Sequence, residues 1–272
     1  MNCEYRGTIL KATDVSLTLG KNVILRDLNL EIRDLYRPGY VTGQIVGLLG
    51  PSGIGKTRLF RILSGIDRPD TGEVLIGEKC EPVQRGKVGV VAQNYPLFEH
   101  RTVAGNLELA ARMAGLSRSA AAEKATAFLK RFCLEDRADL YPCQLSGGQR
   151  QRVAIAQQFL CSEHFVLMDE PFSGLDLIAV EQVSKMISEA ANSDEMNTVI
   201  VVTHDIAAAV TVADTLWLLG RDRDAAGNII PGAKVKKAYN LAEMGLTWRE
   251  GLSASTEFID VVREIRSVFP SL

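Results

Sequence analysis

Gly50-Pro51-Ser52-Gly53-Ile54-Gly55-Lys56-Thr57 follows directly on the apolar run Ile45-Val46-Gly47-Leu48-Leu49. It matches G-x-x-x-x-G-K-[ST] in the setting that pattern needs: a buried strand ends, glycines turn the backbone, and Leu59, Phe60, Ile62 and Leu63 continue at helical spacing. Without a Cβ, Gly50, Gly53 and Gly55 let successive backbone N–H groups approach phosphate oxygens, and the helix behind them adds the positive end of its dipole. Lys56 then brings an ammonium to the β- and γ-phosphates, and the Thr57 hydroxyl suits Mg2+.

Around this stretch lie 272 residues, 46% of them hydrophobic, with a formal net charge of -2. That length buries a sizeable core, and that balance excludes a disordered tail or a nucleic-acid-coating surface. Cys3, Cys80, Cys133, Cys143 and Cys161 form no C-x-x-C pair, so neither a disulfide framework nor a zinc site is expected, and a reducing cytosol fits best. Met1–Arg6 carries charge and no apolar core of a secretory signal, and no run reaches about 18 uninterrupted apolar residues, so no membrane span is expected.

Residues 8–32 alternate apolar and polar positions across Gly20-Lys21-Asn22, which predicts two antiparallel strands. Arg33–Thr42 reads as a loop, Gln44–Leu49 as the central strand, Pro69–Gly72 as a turn, and Glu73–Ile76 and Lys87–Ala92 as strands. From Leu97 to about Leu140 the spacing becomes helical, with segments Val103–Ala114 and Arg118–Phe132 on either side of Gly115-Leu116-Ser117. Then come a helix ending near Leu160, a strand Phe165–Met168, a helix Leu177–Ala191, a strand Thr198–Thr203, a further helix and a strand Leu216–Leu219. Strands alternating with helices imply a mostly parallel α/β sheet with ligands at the strands' carboxyl ends. In the last fifty or so residues, Arg221–Asp224 with Gly227-Asn228 reads as a solvated turn, Val235–Tyr239 as an edge strand, and Thr256–Phe269 as a helix with one apolar stripe.

Asp169 follows four apolar residues, so its carboxylate emerges at a buried strand end, where a P-loop fold holds Mg2+. Glu170 points to the other side of the backbone and is the candidate general base, or the group that orients the attacking water. Ser146-Gly147-Gly148 before a helix is a second anion nest, with serine suited to the N-cap. Taken alone, Gln93 fits a polar strand end, and His204 beside the N-cap candidate Asp205 fits a helix entry as well as it fits catalysis. His100 and His164 read as surface or loop histidines.

The order of P-loop, Gln93, Leu145-Ser146-Gly147-Gly148-Gln149, Phe165–Glu170, Ser173-Gly174-Leu175-Asp176 and His204 resembles the ATP-binding subunit of an ATP-binding-cassette transporter over about residues 8–220. The resemblance implies a P-loop NTPase with a mostly parallel core sheet, an N-terminal antiparallel β subdomain and an inserted α-helical subdomain. Its expected divisions are 1–94 with 161–220 as core, 95–160 helical and 221–272 a packing extension. It also implies ATP and Mg2+ as ligands. Gly50, Pro51, Ser52, Gly53, Ile54, Gly55, Lys56, Thr57 and Arg58 are the nucleotide candidates on one copy; Ser146, Gly147, Gly148, Gln149 and Asp176 meet the nucleotide or interface from another. Thr57, Gln93 and Asp169 are the metal candidates, and Glu170, His204 and Gln93 the catalytic ones.

The partners so implied are a second copy or a paralogous ATPase in an ATP sandwich, transmembrane permease subunits docking near Gln93 and Tyr95–Arg101, and through them a substrate-binding protein, but no nucleic acid. The expected place is the cytoplasmic face of the inner or plasma membrane, and the expected work is uptake of a small anion, sulfonate or amino acid. Export, or a sulfur or metal-cluster assembly role, is the alternative. Three positions depart from the family pattern. Leu19 stands where an aromatic usually stacks on adenine, leaving Tyr36 and Tyr40 as aromatic candidates; Arg58 replaces a small hydroxyl residue, and Gln157 an arginine.

Overall fold

Apolar alternation makes the first two strands. β1 (Glu4–Leu19) and β2 (Asn22–Tyr36) turn Leu10, Ala12, Val15, Leu17, Leu25, Leu28, Leu30 and Ile32 inward and pair antiparallel. Arg33–Tyr36, expected as loop, instead extends β2, because the equally long β1 supplies backbone partners as far as Glu4 and Leu35 is buried. The remaining elements are β3 (Gln44–Leu49), α1 (Lys56–Leu63), β4 (Thr71–Ile76), β5 (Glu81–Pro82), β6 (Gly89–Val91), α2 (Val103–Met113), α3 (Arg118–Arg131) and α4 (Gly147–Cys161). They continue with β7 (Phe165–Asp169), α5 (Leu177–Ala191), β8 (Thr198–Thr203), α6 (Ile206–Val212), β9 (Thr215–Arg223), β10 (Ile229–Asn240) and α7 (Thr256–Val268). The computed structural model describes residues 3–39, 43–162, 164–192, 194, 196–248 and 251–272, with the backbone alone at 177.

Among the described residues the strands form one sheet in the order β5-β4-β1-β2-β10-β9-β3-β8-β7-β6. The run β9-β3-β8-β7-β6 is parallel throughout, and β1, β2, β4 and β5 pair antiparallel. Strands of the parallel part are apolar on both faces. Val46, Leu48, Leu167, Ile200 and Val202 pack toward α1 and the antiparallel strands, whereas Ile45, Leu49, Met168, Val199 and Val201 pack toward the other helices. Each fully buried Leu or Ile contributes roughly 1.5–3 kcal/mol to holding these layers together.

Three expectations are corrected here. Thr71-Gly72, expected in a turn, open β4 opposite Ser16. Arg221–Arg223, expected in a solvated turn, continue β9, and the turn is confined to Asp224–Asn228. The segment Val235–Tyr239, expected at an edge, belongs to an interior strand between β2 and β9. Its lysines look edge-like but are neutralised: Lys234, Lys236 and Arg26 gather on Asp222, and Lys237 on Glu264. The hydrogen bonds from Lys234 and Lys236 hold the Asp222 carboxyl down at about 2.

Asp214 fastens the entry of β3. Its Oδ2 accepts from Ile45 N at 2.7 Å, and burial pushes its carboxyl from 3.8 up to about 7. A folded value above the unfolded one means a contribution fully present below about pH 4 and lost as pH rises toward 7. Asp214→Asn keeps the acceptor and cannot ionise. Thermal melts from pH 4 to 8 are therefore expected to show the variant gaining on the native chain by an amount on the order of a few kcal/mol; parallel curves would rule out a buried titrating Asp214.

Candidate nucleotide site

β3 is buried along its whole length and delivers the backbone to the glycine turn. At Gly50 a Cβ would lie 3.1 Å from Ile54 Cγ2, Leu219 Cβ and Leu219 O, so a side chain there would crowd Ile54 and Leu219. Gly53 and Gly55 have φ of +74° and +114°, a region costly for other residues. The β1–β2 hairpin lies beside this turn, with Ile24 Cγ2 3.0 Å from the position of a Gly55 Cβ. Ser52, Gly53, Thr57 and Arg58 face solvent.

Lys56 is buried, and its Nζ donates to Gly50 O at 2.8 Å and Pro51 O at 3.2 Å. Burial pulls its ammonium below the ordinary lysine value, opposed by Glu170 and Asp169. Asp169, at the end of β7, is pushed up by burial and then by Glu170; Lys56 and a hydrogen bond with Thr57 act the other way. A hydroxyl and a carboxylate thus meet beneath the phosphate turn. All-oxygen donors of this kind suit a hard divalent cation that keeps most of its ligands from water and phosphate. Among the described residues no group of three or more His, Cys, Asp or Glu could hold a metal ion by itself. Arg58 turns away to Asp67 at 3.6 Å, where Arg61 also binds.

Glu170 sits in the left-handed region at φ 52°, held by its N–H to Val202 O at 2.8 Å. That unusual backbone for a glutamate folds its carboxylate under the end of β8. Oε2 accepts from Thr203 Oγ1 at 3.0 Å and His204 N at 3.3 Å, and lies 2.8 Å from His204 Nδ1. Oε1 is left facing Lys56 Nζ at 3.9 Å. Glu170 and His204, separate in sequence, are therefore one unit. Thr203 was not among the candidates; ending a buried apolar strand, it carried no signal beyond ordinary β propensity. Its hydroxyl also accepts from Asp205 N at 3.1 Å, and Asp205 caps α6 through Ala208 N.

Gln93 lies in the exposed turn after β6, and among the described residues no hydrogen bond joins its side chain to Asp169 or Glu170. Ser146 caps α4: its Oγ accepts from Gln149 N at 3.3 Å, while Gln149 Oε1 accepts from Ser146 N at 2.9 Å. Gly147 and Gly148 would have open space for a Cβ and take ordinary helical backbone, so the fold of one chain gives no reason for glycine there. Among the described residues no hydrogen bond or ion pair joins Ser146–Gln149 to Gly50–Thr57 or Glu170. Asp176 caps α5, accepting from Ala179 N at 2.8 Å in an exposed stretch. Gln157 is buried in α4, and Arg150 ties that helix to Glu99 at 2.6 Å.

Of the aromatics expected to replace the missing stack, Tyr36 is excluded. It lies twelve positions along β2 from Ile24, on the order of 40 Å at about 3.3 Å per residue, and the Arg6 guanidinium covers its ring at 3.3 Å. Tyr40 falls outside the described residues. Leu19 itself projects from the hairpin, 39% exposed.

A family model described as "ABC transporter" matches residues 39–173. A probable sulfate/thiosulfate import ATP-binding protein CysA of Chlorella vulgaris is 37% identical over 209 residues, covering 76% of this chain and 85% of that protein. A maltose/maltodextrin import ATP-binding protein MalK of Yersinia pestis is 36% identical over 232 residues, covering 84% of this chain but 59% of that protein. Among solved structures, a dimeric ATP-binding cassette in a post-hydrolysis state with ADP and Pi superposes with a TM-score of 0.66 at 28% identity, covering 86% of this chain and 99% of that one.

Proposed function

The chain belongs to the ATP-binding-cassette transporter family, among its importer-type ATPases, and from that premise we propose that it hydrolyses MgATP in a two-copy sandwich to drive solute uptake through membrane-spanning partners. One observation carries the reading. Ser52, Gly53 and Thr57 of the phosphate turn and Ser146 and Gly147 of the nest are exposed, no hydrogen bond or ion pair among the described residues joins the two on one chain, and the nest keeps glycines its own fold does not need. A second copy, related by a twofold axis, brings each nest over the other's phosphate turn and so completes two sites at once.

In that reading Lys56 and the turn's N–H groups bind the β- and γ-phosphates, and Thr57, Asp169 and Gln93 hold Mg2+, which supplies charge neutralisation on the phosphate oxygens. Glu170 takes the proton of the attacking water at Oε1, because Oε2 is occupied by Thr203 and His204. Ser146 and the N–H groups of Gly147 and Gly148 stabilise the γ-phosphate from the facing copy, with Asp176 at the interface. Binding favours the closed pair, and loss of phosphate removes the contact that closes it. The core (1–94 with 161–220), the helical part (95–160) and the packing extension (221–272) then divide nucleotide binding, partner docking and support.

No helix among the described residues is long and apolar enough to cross a membrane; in this reading the pore belongs to partner permease subunits, with this chain on their cytoplasmic face. Of the solutes considered, the relatives named for sulfate/thiosulfate import favour a small oxyanion over an amino acid, and import over export or cluster assembly. The test is uptake: cells carrying Glu170→Gln should lose accumulation of one labelled solute from a panel of sulfate, sulfonates and amino acids. Retention of all of them would reject uptake of these solutes.

Base recognition is where this chain should differ from an aromatic-bearing cassette. With Leu19 in the usual aromatic position, ATP and GTP are expected to bind within about threefold of each other. Leu19→Tyr should tighten both by roughly fivefold, the ~1 kcal/mol of one base–aromatic stack. Equilibrium titration with fluorescent nucleotides measures this, and no change in the variant would show that the base does not reach the hairpin.

A further inference from the structure

The first turn of α4, from which the nest would present its N–H groups, is weak by composition. It opens on Gly147-Gly148, and glycine is among the poorest helix formers. No acidic side chain stands in that turn to answer the helix dipole. The capping box of Ser146 and Gln149 closes the backbone locally, but a local cap does not decide where the turn points relative to the rest of the fold.

Two consecutive side chains beyond the glycines tie the turn to distant segments. Gln151, 1% exposed, donates from Nε2 to Pro171 O, the residue after Glu170. Arg150 reaches Glu99, with Nη2 donating to Oε1 at 2.6 Å and Nη1 to Oε2 at 3.4 Å. The hydrogen bond from Arg150 is the main reason the Glu99 carboxyl lies below its ordinary value. Glu99 is a fixed post because the backbone on both sides of it is pinned. Asn106, fully buried near the start of α2, accepts from Phe98 N at 2.9 Å and donates to Thr102 O at 2.9 Å and Phe98 O at 3.2 Å. The 98–102 loop is therefore one piece with α2, whose Leu107, Ala110 and Ala111 share the core with Val153 and Ile155 of α4. An ion pair this exposed adds little to stability. Its two-pronged geometry instead fixes a direction, and it does so at the end of a helix whose glycines leave direction open.

We propose that Glu99 is a positioning residue for the γ-phosphate nest: through Arg150 it holds the first turn of α4 where Gly147 and Gly148 face a second copy. The proposal rests on the two-copy reading above and adds to it a residue that lies outside the motifs.

The test separates nucleotide binding on one copy from pairing of two. The full-length chain carrying Glu170→Gln, which does not consume ATP, is followed for MgATP-dependent pairing by sedimentation. Nucleotide affinity is measured with a fluorescent ATP analogue at concentrations where the chain is single. Glu99→Gln is expected to weaken pairing about tenfold, roughly threefold at each of two equivalent sites, and to leave nucleotide affinity within about twofold, because the phosphate turn is untouched. With Arg150→Gln already present, the same substitution should change pairing less than about twofold, since its partner is gone. No MgATP-dependent pairing in the Glu170→Gln parent would reject the two-copy reading and this inference with it. Normal pairing in the parent, unchanged in Glu99→Gln, would reject the inference alone. Equal losses with and without Arg150→Gln would do the same, and so would a parallel fall in nucleotide affinity, the mark of a general loosening. Tighter pairing in Glu99→Gln would overturn it by making Arg150 a phosphate ligand that Glu99 restrains.

Discussion

Glu170→Gln should lower ATP turnover by about 100- to 10,000-fold, the span expected when a positioned proton acceptor is removed, while leaving nucleotide binding intact. The geometry says why an amide is so poor a substitute in so similar a shape. Three groups converge on Oε2, namely Thr203 Oγ1, His204 N and His204 Nδ1. The amide oxygen must take that place, which puts the NH2 where Oε1 now faces Lys56 Nζ at 3.9 Å. A donor then stands where a proton has to be received. Binding is spared because the phosphate contacts come from the turn and Lys56, and removing a carboxylate near the γ-phosphate relieves repulsion. Steady-state hydrolysis and fluorescent-nucleotide titration separate the two effects, and turnover within about threefold of the native rate would show that Glu170 is not the proton acceptor.

What made Glu170 legible was local: four apolar residues and then two acids mark the end of a buried strand, and the structure ends β7 at Asp169. The same locality made β3, α5 and β8 readable to the residue, since each is a run of uniform periodicity between breakers. What stayed hidden depends on partners distant in sequence. β10 carries Pro231, Gly232 and three lysines, which alone describe an edge. It becomes interior because Asp222 and Glu264, far along the chain, neutralise those lysines, and because Ala233 pairs with Leu25.

The site shows the same division. Residue types in the phosphate turn announce themselves, whereas Thr203 supports Glu170 through a hydrogen bond between two strand ends and leaves no motif. Tyr36 illustrates the reverse error. An aromatic close to Leu19 in sequence is carried to the far end of the sheet by the length of β2, which only strand pairing determines.

Two inactive variants should restore each other when mixed. Lys56→Ala removes a charge-assisted contact to phosphate and is expected to weaken nucleotide binding roughly 10- to 100-fold. Gly148→Asp places a carboxylate where a phosphate should arrive, and it can fold, because a Cβ at Gly148 meets nothing within 4 Å and the backbone there is helical. In a twofold sandwich each site takes its turn from one copy and its nest from the other. A mixed pair therefore concentrates both defects in one site and leaves the second with a native Lys56 facing a native Gly148. Random pairing of equal amounts gives mixed pairs about half the time with one good site in two, so roughly a quarter of the native rate should return if the sites act independently. A site built within a single chain predicts no recovery at any mixing ratio, and so does a pairing that turns the nests outward. Recovery is thus demanded by one arrangement and forbidden by the others, because neither the exposed turn nor the exposed nest can be repaired by its own chain.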